Sequence, residues 1–182
     1  MSKNKLNGST LCYSNVTISK YKNNAMIEEY KYHNTVTLNL FRGIGAFLQN
    51  LVESKTSYSD YIPKYVGLGI GENAITVNST KLQSEITTSR ISLTRNSVYE
   101  QNGVWVIPYV ATINYSSVGS NKISELGLFG VRTKTDTEDQ KLLAGLILPE
   151  GSEIVLKSGY TYILRWEINL QAYDPNLSGG NN

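Results

Sequence analysis

The sequence predicts a mainly β protein, an antiparallel β-sandwich with one amphipathic helix and an N-terminal hairpin. Three observations support this fold class. Runs of alternating apolar and polar residues recur along the chain, most clearly from Tyr160 to Leu170. Asn23-Asn24 and Asn102-Gly103 separate such runs, and these residue types form tight hairpin turns because they accept positive φ. One segment, about residues 38–54, has a convincing helical period instead.

The chain is long enough for one domain with a sizeable core and short for two, at 182 residues. We expect a polar arm at residues 1–10, a single domain over residues 11–173 and a tail at residues 174–182. Three parts are expected inside the domain, namely a hairpin at residues 11–36, a helix at residues 38–54 and the core sheet strands within residues 64–173.

The hairpin is predicted from two strand-like runs, Leu11 to Tyr21 and Ala25 to Val36, on either side of the Asn turn. In the second run neither face is purely apolar, since residues such as Glu28 and Tyr30 alternate with Glu29 and Lys31. Such a mixed pattern is typical of an edge or of an interface between chains.

The helix is predicted from Leu38 to Ser54, where Phe41, Ile44 and Leu48 recur at three- and four-residue intervals. An apolar stripe of this kind normally packs into a core, and that is the expectation here.

Glycines concentrate in the strand that follows, at Gly67, Gly69 and Gly71. They allow a neighbouring backbone or side chain to lie close against the strand. A dinucleotide fingerprint needs a third glycine where Glu72 stands, and the Gly-Lys-Ser/Thr of a phosphate loop is missing. We therefore expect tight packing and no cofactor.

The remaining core strands are predicted from apolar and alternating runs that turn residues separate. They are Thr87 to Tyr99, Val104 to Tyr115, Lys122 to Val131, Leu142 to Leu148 and Tyr160 to Leu170.

Composition excludes several classes of function. The formal net charge is +2, too small to favour nucleic acid as a partner. Thirteen tyrosines against three phenylalanines suit contacts between subunits, because a half-buried phenol still satisfies its hydroxyl. The equally weighted alternative is that tyrosine is simply a good strand residue.

Candidate catalytic and metal-binding groups are few. Cys12 is the only cysteine and His33 the only histidine, so a cysteine framework, a two-histidine zinc site and a Ser-His pair with its G-x-S-x-G turn have no basis. The carboxylates Asp136, Glu138 and Asp139 are typical of a solvated turn and lack the spacing of a calcium loop. We expect no catalytic residue, no metal and no enzyme activity.

Neither a membrane span nor a signal peptide is expected. The most apolar window, Leu38 to Val52, contains Arg42 and is too short to cross a bilayer. Since no apolar stretch follows Met1 directly, we expect synthesis in a cytoplasm and no contact with a membrane.

Four motifs in order resemble a group of tailed-bacteriophage structural proteins, labelled tail, tail-fibre or head-fibre proteins. Its patterns are "YIALGTGT…TALxxEI…R", "I-x-E-x-G-L-F", "LLAR" and "LTVTWTI". The corresponding segments here are Tyr65-Val-Gly-Leu-Gly-Ile-Gly with Thr80-Lys-Leu-Gln-Ser-Glu-Ile86 and Arg90, then Ile123-Ser-Glu-Leu-Gly-Leu-Phe129, Leu142-Leu-Ala144 and Tyr162-Ile-Leu-Arg-Trp-Glu-Ile168. Together they cover roughly residues 34–170. Gly145 stands where the pattern has arginine, and the hairpin is an addition.

The resemblance implies a virion structural protein, made in the cytoplasm of a host bacterium, that binds copies of itself and other tail, neck or capsid proteins. A tail- or neck-associated adaptor or fibre-attachment role is favoured over a capsid head fibre or decoration protein. No catalytic residue accompanies the resemblance. We expect the motif residues to be structural, with Glu125 accepting backbone N–H bonds beside Gly127 and with Leu128 and Phe129 filling the sandwich.

A carbohydrate-binding module that recognises a receptor is the alternative function. Exposed aromatic rings stack on sugar rings, which makes Trp105 and Trp166 the candidates. Both fall on apolar strand faces, so we expect both in the core.

Overall fold

The computed structural model describes residues 12–53, 59–86, 90–115, 122–131 and 140–171. The expected arm at residues 1–10, the tail at residues 174–182 and the acidic loop residues Asp136, Glu138 and Asp139 lie outside these ranges.

Within the described residues the protein is mainly β, as predicted. The strands are β1 (Cys12–Lys22), β2 (Ala25–Val36), β3 (Tyr65–Gly69), β4 (Ile91–Ser92), β5 (Thr94–Arg95), β6 (Tyr99–Gln101), β7 (Val104–Asn114), β8 (Lys122–Ile123), β9 (Glu125–Phe129), β10 (Leu142–Ile147), β11 (Ile154–Val155) and β12 (Thr161–Gln171). The helix α1 (Leu38–Glu53) follows β2, and a short 3-10 helix covers Ser59–Tyr61.

Ten of these strands form one antiparallel sheet in the order β4-β3-β9-β10-β2-β1-β12-β7-β5, with β6 also paired to β7. The sheet has two halves, β4-β3-β9-β10 and β2-β1-β12-β7-β5. Only two residue pairs between β10 and β2, Ala144 with Val36 and Gly145 with Thr35, join these halves. At the other side the chain passes from β4 to β5 through the single residue Leu93. Buried residues from both halves form one apolar core. The two halves therefore pack face to face as a sandwich, and the sheet nearly closes on itself.

Both predicted Asn turns are confirmed. Asn23 and Asn24 have φ of 50° and 63° between β1 and β2, and Asn102 and Gly103 have φ of 53° and 77° between β6 and β7. The long antiparallel hairpin of β1 and β2 follows from the first turn.

The predicted strand from Thr87 to Tyr99 is wrong as a single element, because its described part is divided among β4, β5 and β6. The backbone N–H of Leu93 donates to Lys64 on one half of the sheet, whereas that of Asn96 donates to Pro108 on the other. This segment crosses between the two ends of the sheet, so its hydrogen-bonding partner changes along its length.

The helix is confirmed, but the direction predicted for its apolar stripe is wrong. Asn39, Leu40 and Gly43 face the protein and are buried, and α1 packs on β10 and on the 3-10 helix. Phe41 and Leu48 remain 45% and 57% exposed. The contact is close at Gly43, where an added Cβ would lie 2.5 Å from the Cβ of Tyr61. The small, partly polar side of the helix thus fits the sheet, and the large apolar side is left outside.

Two glycines of α1 provide a matched test of this orientation. Gly45→Ala is expected to stabilise the fold by about 0.5–1 kcal/mol, since a Cβ there meets nothing within 4 Å and alanine favours helix. Gly43→Ala is expected to destabilise it by roughly 1–3 kcal/mol, because its Cβ clashes with Tyr61. Urea unfolding followed by far-UV circular dichroism measures both changes. A Gly43→Ala protein as stable as Gly45→Ala would contradict the packing of α1 on the 3-10 helix.

Candidate functional site

Three of the four motif segments of the resemblance meet in one place, around β3, β9 and β10, whereas Tyr162 to Ile168 lies in β12 between β1 and β7. β3 pairs with β9 so that Gly67 lies opposite Gly127 and Gly69 opposite Glu125. The loop after β3 returns over these strands, where Gly69 forms a bridge with Glu85. We call the group formed by Glu85, Arg90, Glu125 and Gln140 with the surrounding glycines the motif cluster.

Glu125 accepts backbone N–H bonds, as expected, and its donors are in this returning loop. Its carboxylate is fully buried and accepts the backbone N–H of Gln83 at 2.7 Å and that of Ser84 at 3.0 Å. The glycines provide its space, because a Cβ on Gly69 or Gly71 would lie within 2.7 Å of Glu125 Oε2. The glycine spacing thus accommodates a protein carboxylate rather than a nucleotide phosphate.

Glu85 and Arg90 form a second buried contact in the cluster. Arg90 Nε and Nη2 donate to the two carboxylate oxygens of Glu85 at 2.8 and 2.9 Å, and both side chains are at most 1% exposed. Gly67 leaves room for this pair, since a Cβ there would lie 2.6 Å from Glu85 Oε1. Such a two-pronged contact is the strongest geometry available to an arginine and a carboxylate.

Arg90 also binds two further segments. Its Nη2 donates to Gln140 Oε1 at 2.8 Å and its Nη1 to the carbonyl of Val131 at 3.1 Å. The guanidinium lies over the ring of Phe129, 3.3 Å from the ring centroid. From the sequence, Glu85 and Arg90 were recognisable only as parts of the resemblance, and Gln140 had no signal of its own.

The apolar motif residues behave as predicted. Leu128 and Phe129 are fully buried. Gly127 allows close packing, because a Cβ there would lie within 2.8 Å of Phe129, Leu142 and Leu82. The bound carboxylates and packed rings make the motif cluster a structural unit.

The two tryptophans have different environments. Trp166 is fully buried, as predicted, and its Nε1 donates to Ser14 Oγ at 2.7 Å. The core prediction for Trp105 is wrong, because this side chain is 56% exposed. It lies near the start of β7, on the same face as the buried Tyr109 but at the end of that face.

Cys12 and His33 are both engaged in the sheet. Cys12 is buried, and burial raises the pKa of its thiol to about 11, which leaves it protonated at neutral pH. His33 Nδ1 lies 2.7 Å from Asn15 Oδ1, across the pairing of β2 with β1. Among the described residues no three His, Cys, Asp or Glu side chains are placed to hold a metal ion. In the same part of the chain no helix is long and apolar enough to cross a membrane.

The exposed apolar side of α1 is the most distinct surface feature. We call it the helix face. Five large apolar side chains, each 38–57% exposed, form it: Leu38, Phe41, Ile44, Phe47 and Leu48. Contiguous apolar surface of this kind marks contacts with other molecules, because water solvates it poorly. The apolar periodicity revealed the stripe, but the sequence carries no signal for what covers it.

Removing Arg90 tests the role of the motif cluster. Arg90→Met is expected to destabilise the fold by about 3–5 kcal/mol, because the buried carboxylate of Glu85 loses its countercharge. The double variant Glu85→Leu with Arg90→Met is expected to be more stable than Arg90→Met alone, since neither charge of the buried pair remains. Chemical unfolding of both proteins measures the difference. If the double variant is the less stable of the two, the buried pair is not the source of the effect.

Comparison of the chain with protein-family models, with curated proteins and with solved structures finds no match.

Proposed function

We propose that this chain is a structural component of a tailed-bacteriophage virion, a tail- or neck-associated adaptor or fibre-attachment protein. It acts by symmetric assembly with its own copies and with other virion proteins. The capsid head fibre or decoration protein is the alternative position in the same particle.

The helix face is the observation that carries this proposal. An isolated chain gains stability by turning the apolar side of a helix inward, yet α1 turns its smaller, partly polar side inward and leaves Phe41 and Leu48 partly in water. Fully burying one such side chain is worth roughly 1.5–3 kcal/mol. A protein that works as a subunit recovers this free energy on assembly.

The motif cluster supports the proposal in a second way. Three of the four segments that carry the resemblance lie together and form one packed unit, and its polar side chains bind the loop between β3 and β4. This arrangement suits a rigid module that is repeated around an axis, and no reaction chemistry is needed to explain it.

Carbohydrate binding is the second candidate, because Trp105 is exposed. A single ring is weaker support than a group of rings. Tyr99 lies opposite Val106 in the pairing of β6 with β7, and so it lies on the other face of the sheet from Trp105. A glycan array probed with the native protein and with Trp105→Ala tests this candidate, which requires binding that the substitution removes.

Purified particles of the phage that encodes the chain test the virion assignment directly. Immunogold electron microscopy with antibodies against the chain is expected to label the tail or neck in every intact particle. Label on the capsid surface would favour the head-fibre or decoration role. Particles without label, together with no peptide of the chain in their mass spectrum, would refute the proposal.

Assembly through the helix face is tested with charge substitutions. Phe41→Lys with Leu48→Lys is expected to weaken self-association at least about 100-fold, because two apolar contacts are lost and two charges are buried. Gln49→Lys adds one positive charge on the polar side of α1 and is expected to have little effect. Native mass spectrometry and sedimentation velocity measure the oligomer. Equal association of all three proteins would mean that the helix face is not an assembly surface.

A further inference from the structure

One long edge of the sheet has no strand beside it in the described part of the chain. β2 pairs with β1 from Ala25 to Asn34, but it pairs with β10 only through Thr35 and Val36. Ten of its twelve residues, Ala25–Asn34, therefore have a strand on one side only. We call this stretch the β2 edge. In an antiparallel strand every second residue directs its N–H and C=O to the open side, so the edge offers about five donor–acceptor pairs.

The β2 edge is only partly protected against pairing. Natural edge strands are kept apart by short length, proline, bulges or charged side chains. The β2 edge contains neither proline nor glycine, and its charges are of both signs at Glu28, Glu29 and Lys31, so a complementary strand can neutralise them. Its pairing with β1 has one bulge, at Ile27, because Lys20 pairs with Glu28 and Tyr21 with Met26. An added strand with a complementary charge pattern can therefore pair with the regular part of the edge, from Glu28 to Asn34.

We propose that two copies of the chain pair along their β2 edges, antiparallel and related by a two-fold axis at Tyr30. The proposal goes beyond the virion assignment and does not depend on it, since it uses only β2 and not the helix face. The two sheets then become one continuous sheet that runs through both copies.

The charge pattern selects this axis. With the axis at Tyr30, Glu29 of each copy lies opposite Lys31 of the second copy, and Tyr30 lies opposite itself. Within one copy Lys31 Nζ is 3.1 Å from Glu29 Oε1, so both side chains already point to the same face of the sheet. Two opposite-charge contacts and one aromatic contact are thus formed across the axis, and both kinds favour strand pairing.

Neighbouring axes are worse. An axis at Glu29 places Glu29 against itself, and an axis at Lys31 places Lys31 against itself, which opposes pairing. An axis at Tyr32 pairs only Tyr30–Asn34 and brings no opposite charges together. Of these axes, only the one at Tyr30 pairs the regular residues Glu28–Tyr32 with matched charges.

Disulfide cross-linking tests the axis position. Tyr30→Cys places two cysteines opposite each other with their Cα atoms about 4.5–5.5 Å apart, which is within disulfide reach. Ile27→Cys is the control, because the two copies of residue 27 would lie six residues out of register, about 20 Å apart. The native Cys12 does not compete, since it is buried and protonated. After mild oxidation we expect at least ten times more covalent dimer from Tyr30→Cys than from Ile27→Cys.

A charge exchange tests the register independently. Glu29→Lys alone and Lys31→Glu alone each create two like-charge contacts across the axis, and each is expected to weaken dimerisation roughly 3- to 30-fold. The double exchange Glu29→Lys with Lys31→Glu restores opposite charges and is expected to restore the native affinity. Sedimentation equilibrium measures the affinity, and circular dichroism checks that every variant is folded.

Three results would overturn the proposal: a native protein that is monomeric at 100 µM, equal cross-linking of the two cysteine variants, or a double exchange that is no better than the single ones. Adding Phe41→Lys and Leu48→Lys to Tyr30→Cys separates this proposal from the helix face. Cross-linking that persists supports a β2 contact independent of α1, and cross-linking that is lost refutes that independence.

Discussion

The buried contact of Arg90 with Glu85 is the interaction on which the closure of the sandwich depends. Arg90 directly precedes β4, the strand at one end of the large sheet, and Glu85 ends the loop that returns over β3. The same guanidinium binds Val131 after β9 and Gln140 before β10. Four segments therefore meet at one side chain. A buried ion pair contributes little net stability compared with apolar packing, but it penalises every arrangement that leaves one charge unpaired. Its role here is to specify which segments come together.

The turns were predictable because their cause is local. Asn23-Asn24 and Asn102-Gly103 adopt positive φ for reasons contained in the residues themselves. The close packing around Gly67 and Gly69 was also predictable, because glycine leaves space beside the strand. Which side chains fill that space was only partly predictable. Glu125 was expected to bind backbone N–H groups. Arg90 was not expected to bind Gln140, because the two lie fifty positions apart and the sequence carries no signal of the contact.

The errors at α1 and at Trp105 have a common physical origin. An apolar period identifies which side chains share a face, but it does not say whether the rest of the chain is large enough to cover that face. Phe41 and Leu48 share the expected stripe of α1, and the sandwich contacts the opposite side of the helix. Trp105 shares the inner face of β7 with Tyr109, and the core ends before reaching it. In both cases the periodicity identified correctly which side chains share a face. The error was to assume that other parts of the chain bury that face.

The two proposed contact surfaces have different consequences for symmetry. A two-fold contact along β2 closes on itself and yields a dimer, since each copy uses its edge once. A ring or collar around a tail needs a second contact, and the helix face is the described surface with the apolar character to form it.

If the contact through the helix face is also two-fold, alternating the two contacts produces either a closed dihedral assembly or an open chain, depending on the angle between the axes. If it is heterologous and its rotation closes, it forms a ring, and the two-fold β2 contact then joins two such rings into a dihedral assembly. A dihedral assembly on a cyclic tail would place half of its subunits facing away from the tail. An adaptor ring of one layer therefore requires a β2 edge that pairs with another virion protein, whereas a ring built from two-fold pairs has two layers.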